Sequence, residues 1–195
     1  MFYNIIVPLA RLLLRIFVFR IKVEGKENIP KTGGVLLAVN HRSNWDPPIA
    51  AITSPRKLRF MAKSELFKNK LFAKIITALG AFPIQRGKGD VGAIKGSLTI
   101  LKNEEVMLIF PEGGRVKDEK TTDAKPGVVM LAIRAKVPVI PTYISGKYRW
   151  FGKITVRFGE PVYYEKYYEE KPVVEELQSL SNELLATMRS MKVTN

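Results

Sequence analysis

The chain is expected to form an α/β domain, a mixed and largely parallel sheet flanked by helices. Short apolar runs recur along it, helix-like stretches separate them, and 195 residues without an internal repeat suffice for one core. The runs that read as buried strands are 35–39, 58–61, 82–85, 106–110, 137–144 and 154–158. An alternating segment, Arg20-Ile21-Lys22-Val23-Glu24, reads as a further, half-exposed strand. Helical spacing is clearest over 64–79, 90–101 with Asp90 as its cap, 126–135 and 172–191. In the last of these Val173, Leu177, Leu180, Leu184 and Met188 share one face. Asp46 followed by Pro47 and Pro48 is an ordinary helix start.

Residues 1–20 are set apart as an N-terminal helix at a membrane interface, and 21–195 form the α/β domain. Between 2 and 19 only Asn4, Arg11 and Arg15 interrupt the apolar run, and at about 100° per residue they fall with Lys22 on one narrow stripe. Phe2, Ile5, Ile6, Leu9, Leu12, Leu13, Ile16 and Phe17 fill the remaining arc. Such a helix suits the interfacial plane, with apolar side chains in the acyl region and Arg11 and Arg15 at phosphates. The two arginines cut the run short of the roughly 20 apolar residues a crossing needs. No small-residue cleavage site follows Phe19, so the segment is expected to stay on the mature protein. Pro8 marks an early helix start or a kink. The competing reading is a core helix covering the sheet.

The formal net charge is +14, and it is unevenly placed. Residues 1–100 carry 17 Lys and Arg against 5 Asp and Glu; residues 101–195 carry 15 against 13. Such an asymmetry implies an anionic partner: nucleic acid, an acidic carrier protein, a phosphorylated small molecule or an anionic membrane. The absence of cysteine excludes disulfides, thiolate metal sites and a cysteinyl acyl intermediate, and it fits a reducing compartment.

The chain has one histidine, in the run Asn40-His41-Arg42-Ser43-Asn44-Trp45-Asp46. Imidazole base chemistry near neutral pH falls to His41 alone. A carboxylate at Asp46 accepting from one ring nitrogen would leave the other free to take a proton from a hydroxyl. With no nucleophile of its own in view, the reacting hydroxyl could belong to the substrate. Packing roles for both residues are the competing reading.

Two further polar loops follow strands. In Gln85-Arg86-Gly87-Lys88-Gly89-Asp90, cations and permissive backbone meet a helix start, which suits an anion, although a solvated turn would look the same. In Phe110-Pro111-Glu112-Gly113-Gly114-Arg115 the glycines allow close backbone approach, Arg115 suits a phosphate and Glu112 a hydroxyl. A strand exit with a salt bridge between Glu112 and Arg115 is the alternative there. Loops at strand ends are where α/β sheets gather their ligands.

Together these segments resemble the glycerolipid acyltransferases, most closely the bacterial 1-acyl-glycerol-3-phosphate acyltransferases. Asn40, His41 and Asp46 match the N-H-x4-D block. Lys63, Leu66-Phe67, Gly80 and Phe82-Pro83-Ile84-Gln85-Arg86 match the second, residues 110–115 the third, and Val137-Pro138-Val139-Ile140-Pro141 the fourth. Gly114 departs from the pattern, standing where the family carries Thr or Ser. The resemblance implies His41 as general base and Asp46 as its orienting carboxylate. It implies acceptor binding by Asn40, Lys63, Arg86, Glu112, Gly113, Gly114 and Arg115. It further implies acyl transfer from acyl carrier protein or coenzyme A to lysophosphatidic acid, giving phosphatidic acid, with no metal and no cofactor beyond the co-substrate. Attachment would be peripheral or monotopic, on the cytoplasmic face of the cell membrane.

Two rival readings stand beside this one. The same chemistry could act on another lysophospholipid or on glycerol 3-phosphate. Alternatively, the chain could be a non-catalytic basic protein on membrane or nucleic acid. Nucleic acid is disfavoured, because most aromatics lie away from the basic half and no binding module is recognisable.

Overall fold

The computed structural model describes residues 8, 19–84, 91–116 and 122–193. Of the segment 1–20 expected as an N-terminal helix, Phe19 and Arg20 belong instead to the first strand, where pairing with residues 152 and 153 extends them; the rest, Pro8 apart, and the 85–90 loop with Arg86 lie outside the described residues. Seven strands form one sheet: β1 (Phe19–Glu24), β2 (Val35–Val39), β3 (Leu58–Lys63), β4 (Ala81–Ile84), β5 (Val106–Ile109), β6 (Val139–Gly146) and β7 (Gly152–Phe158). Their order across the sheet is β1-β7-β6-β2-β5-β3-β4. All neighbours pair in parallel except β6 and β7, so β1 and β7 run against the other five. The expectation of a mixed, largely parallel sheet holds.

Strand β2 explains the centre. Its five residues are all apolar and all buried, as a strand covered on both faces requires. Val35, Leu37 and Val39 point to one face, where α1 (Asp46–Thr53) and α2 (Lys70–Ala78) pack; Leu36 and Ala38 point to the other. That second face is closed by α3 (Val91–Lys102), α4 (Gly127–Ala135) and the amphipathic α5 (Val174–Ser190), whose Leu184, Leu185 and Met188 are buried. The sheet's ends are marked by edge chemistry. Pro83 sits in terminal strand β4, and β1 alternates buried and exposed residues, its Glu24 bridging Lys22 and Arg157.

Three boundaries differ from expectation. The stretch 64–79 divides into a 3-10 turn, Ser64–Phe67, and α2, because the Asn69 side chain accepts from the Phe72 amide and starts a new helix. The run 137–144 shifts to Val139–Gly146 and turns back through a five-residue loop into β7, a hairpin rather than a second parallel strand. Asp46 is the first residue of α1 while Trp45 holds the cap position, so the carboxyl does not cap the helix; Pro47 and Pro48 occupy the first turn, where missing amides cost nothing.

Glycine is required at the α2–β4 corner. Gly80 has φ 103°, and a Cβ there would lie 1.8 Å from the Leu58 carbonyl oxygen. Gly80→Ala should therefore lower unfolding free energy by at least about 2 kcal/mol. Gly96→Ala, inside α3 with nothing nearer than the Phe82 ring at 4.0 Å, should raise it by about 0.5–1 kcal/mol. Denaturant midpoints of the two variants check the pair; equal effects would contradict the assigned backbone.

Candidate active site

Strand β2 ends at Val39, and the chain turns through Asn40 and His41 at the edge where β3, β5 and β6 also end. Asn40 is buried at 1% exposure and exchanges two bonds with one residue of β6. Its Nδ2 donates to the Ile144 carbonyl at 3.2 Å, and its Oδ1 accepts from the Ile144 amide at 2.7 Å. The amide is thus consumed in fixing the strand exit, and it positions the next residue rather than facing the cleft.

His41 is held from four sides. Its amide donates to Glu112 Oε2 at 2.6 Å, and its carbonyl accepts from the Val116 amide at 2.9 Å. Its ring stacks on Phe110, centroids 3.9 Å apart and planes inclined by 14°. Its Nδ1 lies 2.9 Å from Asp46 Oδ2. The same oxygen accepts from the amides of Arg42 at 2.7 Å and Ser43 at 2.6 Å, while Oδ1 accepts from the Tyr148 hydroxyl. A carboxylate that accepts on both oxygens has no proton to give, so Nδ1 carries the hydrogen and Nε2 keeps its lone pair. Among the described residues nothing hydrogen-bonds Nε2, and the side chain retains 13% of its exposure. Asp46, at 0%, is sealed beneath it. The pair therefore presents a base to the cleft and hides its counter-charge.

The 110–116 loop is the second wall. Gly113 has φ 71°, and its amide donates to the Phe110 carbonyl at 3.0 Å, closing a tight turn beneath buried Glu112. Gly114 is different: a Cβ there would meet nothing within 4 Å, and its φ is ordinary, so the backbone does not require glycine at this departure from the pattern. Arg115 is exposed beside Val116, close to the His41 carbonyl. Lys63 ends β3 level with Asn40, because Phe60, Leu108 and Leu37 share one row of the sheet. Two interstrand spacings, about 10 Å, separate them. The structure thus gathers His41, Asp46, Lys63, Glu112, Gly113, Gly114 and Arg115 at one edge; Arg86 lies outside the described residues.

Two contributors, Tyr148 and Lys125, carry no signal in the sequence, and a third, Phe110, shows there only as a motif residue. Tyr148 reaches Asp46 from the β6–β7 loop, 102 positions away, and looks in sequence like one residue of a basic turn. Its ring receives Phe19 edge-on at 6.2 Å and Arg42 over its face at 5.6 Å, while Arg42 Nη2 donates to the Gly146 carbonyl at 2.6 Å. Phe110 forms the platform for the imidazole. Lys125 lays its stem along Gly113, its Cγ 3.1 Å from where a Cβ would sit, and its amide donates to the Pro111 carbonyl at 2.6 Å. That places a third cation, with Lys63 and Arg115, around the cleft.

Burial first, and the neighbouring Asp46 charge second, push the Tyr148 hydroxyl far above the ordinary tyrosine value of 10.0. The hydroxyl therefore stays a donor across the neutral range. Because the folded value is raised, the stability Tyr148 contributes is complete below about pH 10 and is lost as pH rises above it, at up to about 1.4 kcal/mol per pH unit. Tyr148→Phe should be less stable than wild type by about 1–2 kcal/mol at pH 8 and should lose less on going to pH 11. Urea titrations across that range test it, and parallel alkaline slopes would refute the buried bond.

An acyltransferase family model matches residues 20–145. A 1-acyl-sn-glycerol-3-phosphate acyltransferase of Streptococcus pneumoniae is 34% identical over 170 residues, 83% of this chain and 63% of that protein. The protein of the same name from Bacillus subtilis is 33% identical over 150 residues, 73% of this chain and 74% of its own length. The chain thus spans between three fifths and three quarters of these two relatives. The crystal structure of PlsC from Thermotoga maritima, a 1-acyl-sn-glycerophosphate acyltransferase, superposes with a TM-score of 0.74 at 24% identity, covering 98% of this chain and 81% of that one. That likeness establishes the shared fold.

Proposed function

From the premise that the chain belongs to the acyltransferase family, we propose that it moves a fatty acyl group from an acyl thioester to the free hydroxyl of a 1-acyl-glycerol-3-phosphate, giving phosphatidic acid. The observation that carries this reading is the His41–Asp46 pair, with Nδ1 committed and Nε2 left to the cleft. Nε2 takes the hydroxyl proton as the acceptor oxygen attacks the thioester carbonyl carbon. The tetrahedral intermediate collapses with cleavage of the carbon–sulfur bond, and the imidazolium returns its proton to the departing thiolate. Asp46 supports the positive ring throughout, and the stacked Phe110 ring keeps it from turning.

Arg115 and Lys63, joined by Lys125, bind the acceptor phosphate, and the match of Arg86 to the family's second block assigns it the same task. At Gly114 the acceptor meets backbone and open space rather than a hydroxyl side chain. The two bacterial relatives, both 1-acyl-sn-glycerol-3-phosphate acyltransferases, favour a lysophosphatidate acceptor. Acyl carrier protein and coenzyme A both fit as donor carriers, being anionic partners for a basic edge. No cofactor is needed, since a thioester already supplies an activated acyl group. The reading also puts the enzyme at the cytoplasmic face of the cell membrane, with residues 1–18 as an interfacial anchor. Among the described residues no helix is long and apolar enough to cross a bilayer.

Purified wild type should transfer radiolabelled acyl groups from acyl carrier protein or coenzyme A to lysophosphatidate. His41→Ala should lower kcat by about two to four orders of magnitude while the protein still unfolds cooperatively, at a somewhat lower melting temperature because the variant also removes a donor to buried Asp46. Arg115→Ala should instead raise the acceptor KM by about ten- to a hundred-fold. Full turnover in the histidine variant would remove the base assignment, and unchanged acceptor KM in the arginine variant would remove the phosphate site.

A further inference from the structure

Two projections rise from the sheet edge that carries His41, far apart in sequence and alike in chemistry. One is the β6–β7 hairpin tip, where Trp150 is 74% exposed and Phe151 is exposed beside it. Lys147 and Arg149 flank them, with no acidic residue between Lys147 and Lys153. The other is α2, with Leu71 at 73% exposure and Phe72 and Ile75 also open to solvent. Lys68 and Lys70 are exposed at its start, and Lys63 lies just before. Ile76 and Leu79 already bury the face that α2 turns to the sheet, so the exposed side chains extend the apolar arc beyond what the core uses.

Both projections belong to the edge at which β2 ends, because β3 ends level with Asn40 and β6, parallel to β2, passes Val39 at Thr142 and runs on to Gly146 and the hairpin tip. Four interstrand spacings, about 19 Å, separate β7 from β3, and the His41 loop rises between them. Phe151 adds a separate sign of purpose. It holds φ 54°, a left-handed conformation that an aromatic residue adopts only at a cost, at a tip where a glycine would serve the turn without strain.

The geometry points to a two-point docking surface for an anionic lipid bilayer, with Trp150 and Phe151 on one side of the cleft and Leu71, Phe72 and Ile75 on the other. Aromatic and aliphatic side chains enter the headgroup boundary while the adjoining cations meet lipid phosphates. Charge chooses the occupant. Residues 1–18 carry Arg11 and Arg15 and no acidic residue, so they would repel these lysines, and a second copy would bring the same cationic edge. Bound this way, the cleft faces the bilayer. The inference borrows its purpose from the proposed lipid acceptor but not its evidence, and vesicle binding is read without turnover, so either can fail alone.

The chain lacks cysteine, so single labels are unambiguous. Leu71→Cys, Trp150→Cys and, as a control on the opposite layer, Val174→Cys are each labelled in the full chain with an environment-sensitive dye. They are then mixed with phosphatidylcholine vesicles with and without phosphatidylglycerol. On the anionic vesicles the dyes at 71 and 150 should both shift to the blue and the dye at 174 should not. Trp150→Ser with Phe151→Ser, and separately Leu71→Ser with Phe72→Ser, should each weaken partitioning by on the order of ten-fold or more with melting temperature unchanged. Lys68→Glu with Lys70→Glu should weaken it by about five-fold or more per residue on anionic vesicles alone. A vesicle-bound protein whose dye at 71 or 150 stays in water would overturn the surface, leaving attachment to residues 1–18. A blue shift that grows with protein concentration in the absence of vesicles would assign it to a second copy instead. A melting temperature lowered by the serine pairs with partitioning intact would assign the patch to the fold itself.

Discussion

The carboxylate of Asp46 is the point at which this molecule's fold and its chemistry meet. Buried completely, it gathers a ring nitrogen, two loop amides and a phenol, and each donor comes from a different need. The amides of Arg42 and Ser43 fold the loop after β2, the phenol ties that loop to the β6–β7 hairpin, and the imidazole is aimed by what remains. A charge so deeply placed is tolerable only because both oxygens are answered, Oδ2 by three donors and Oδ1 by the phenol. Removing any one donor would leave the others holding an under-satisfied anion.

Around this node the parallel strands act as a positioning device. β2, β3, β5 and β6 finish at one edge, and the side chains that follow them need no long loops to converge. Asn40 illustrates the economy: its amide fills the gap between two neighbouring strands and in doing so fixes the backbone on which His41 stands. Glu112 performs the same service from β5 by accepting the His41 amide. Polar residues of the motif blocks thus divide into those that build the platform and those, such as Arg115 and Lys63, that face solvent. A motif lists both kinds together, and the burial of each tells them apart.

Much of this was legible in the sequence. Continuous apolar runs such as 35–39 mark buried strands, the five-residue step from His41 to Asp46 marks the pair, and the glycines after Glu112 mark backbone that a ligand can approach closely. What escaped has common causes. Tyr148 and Ile144 act on residues more than a hundred positions away, and periodicity reads only neighbours. The split at Asn69 was hidden because the apolar pattern continues on both sides of a capping residue whose side chain, not its hydropathy, breaks the helix. The β6–β7 hairpin is hidden because the apolar run of β6 carries the signature of a buried parallel strand, although β6 pairs antiparallel with β7, whose Ile154, Val156 and Phe158 alternate with polar residues. Asp46 looked like a cap because Asp before Pro commonly is one; tertiary donors claimed its oxygens instead.

Asp46 fixes His41 with the proton on Nδ1 and the lone pair on Nε2. The chain's single histidine makes a long-range nitrogen–proton correlation spectrum of the uniformly nitrogen-15-labelled protein unambiguous. At a pH where the imidazole is neutral, the account predicts one protonated nitrogen assigned to Nδ1 and one bare nitrogen assigned to Nε2. A neutral ring found with its proton on Nε2, or exchanging freely between both nitrogens, would contradict it.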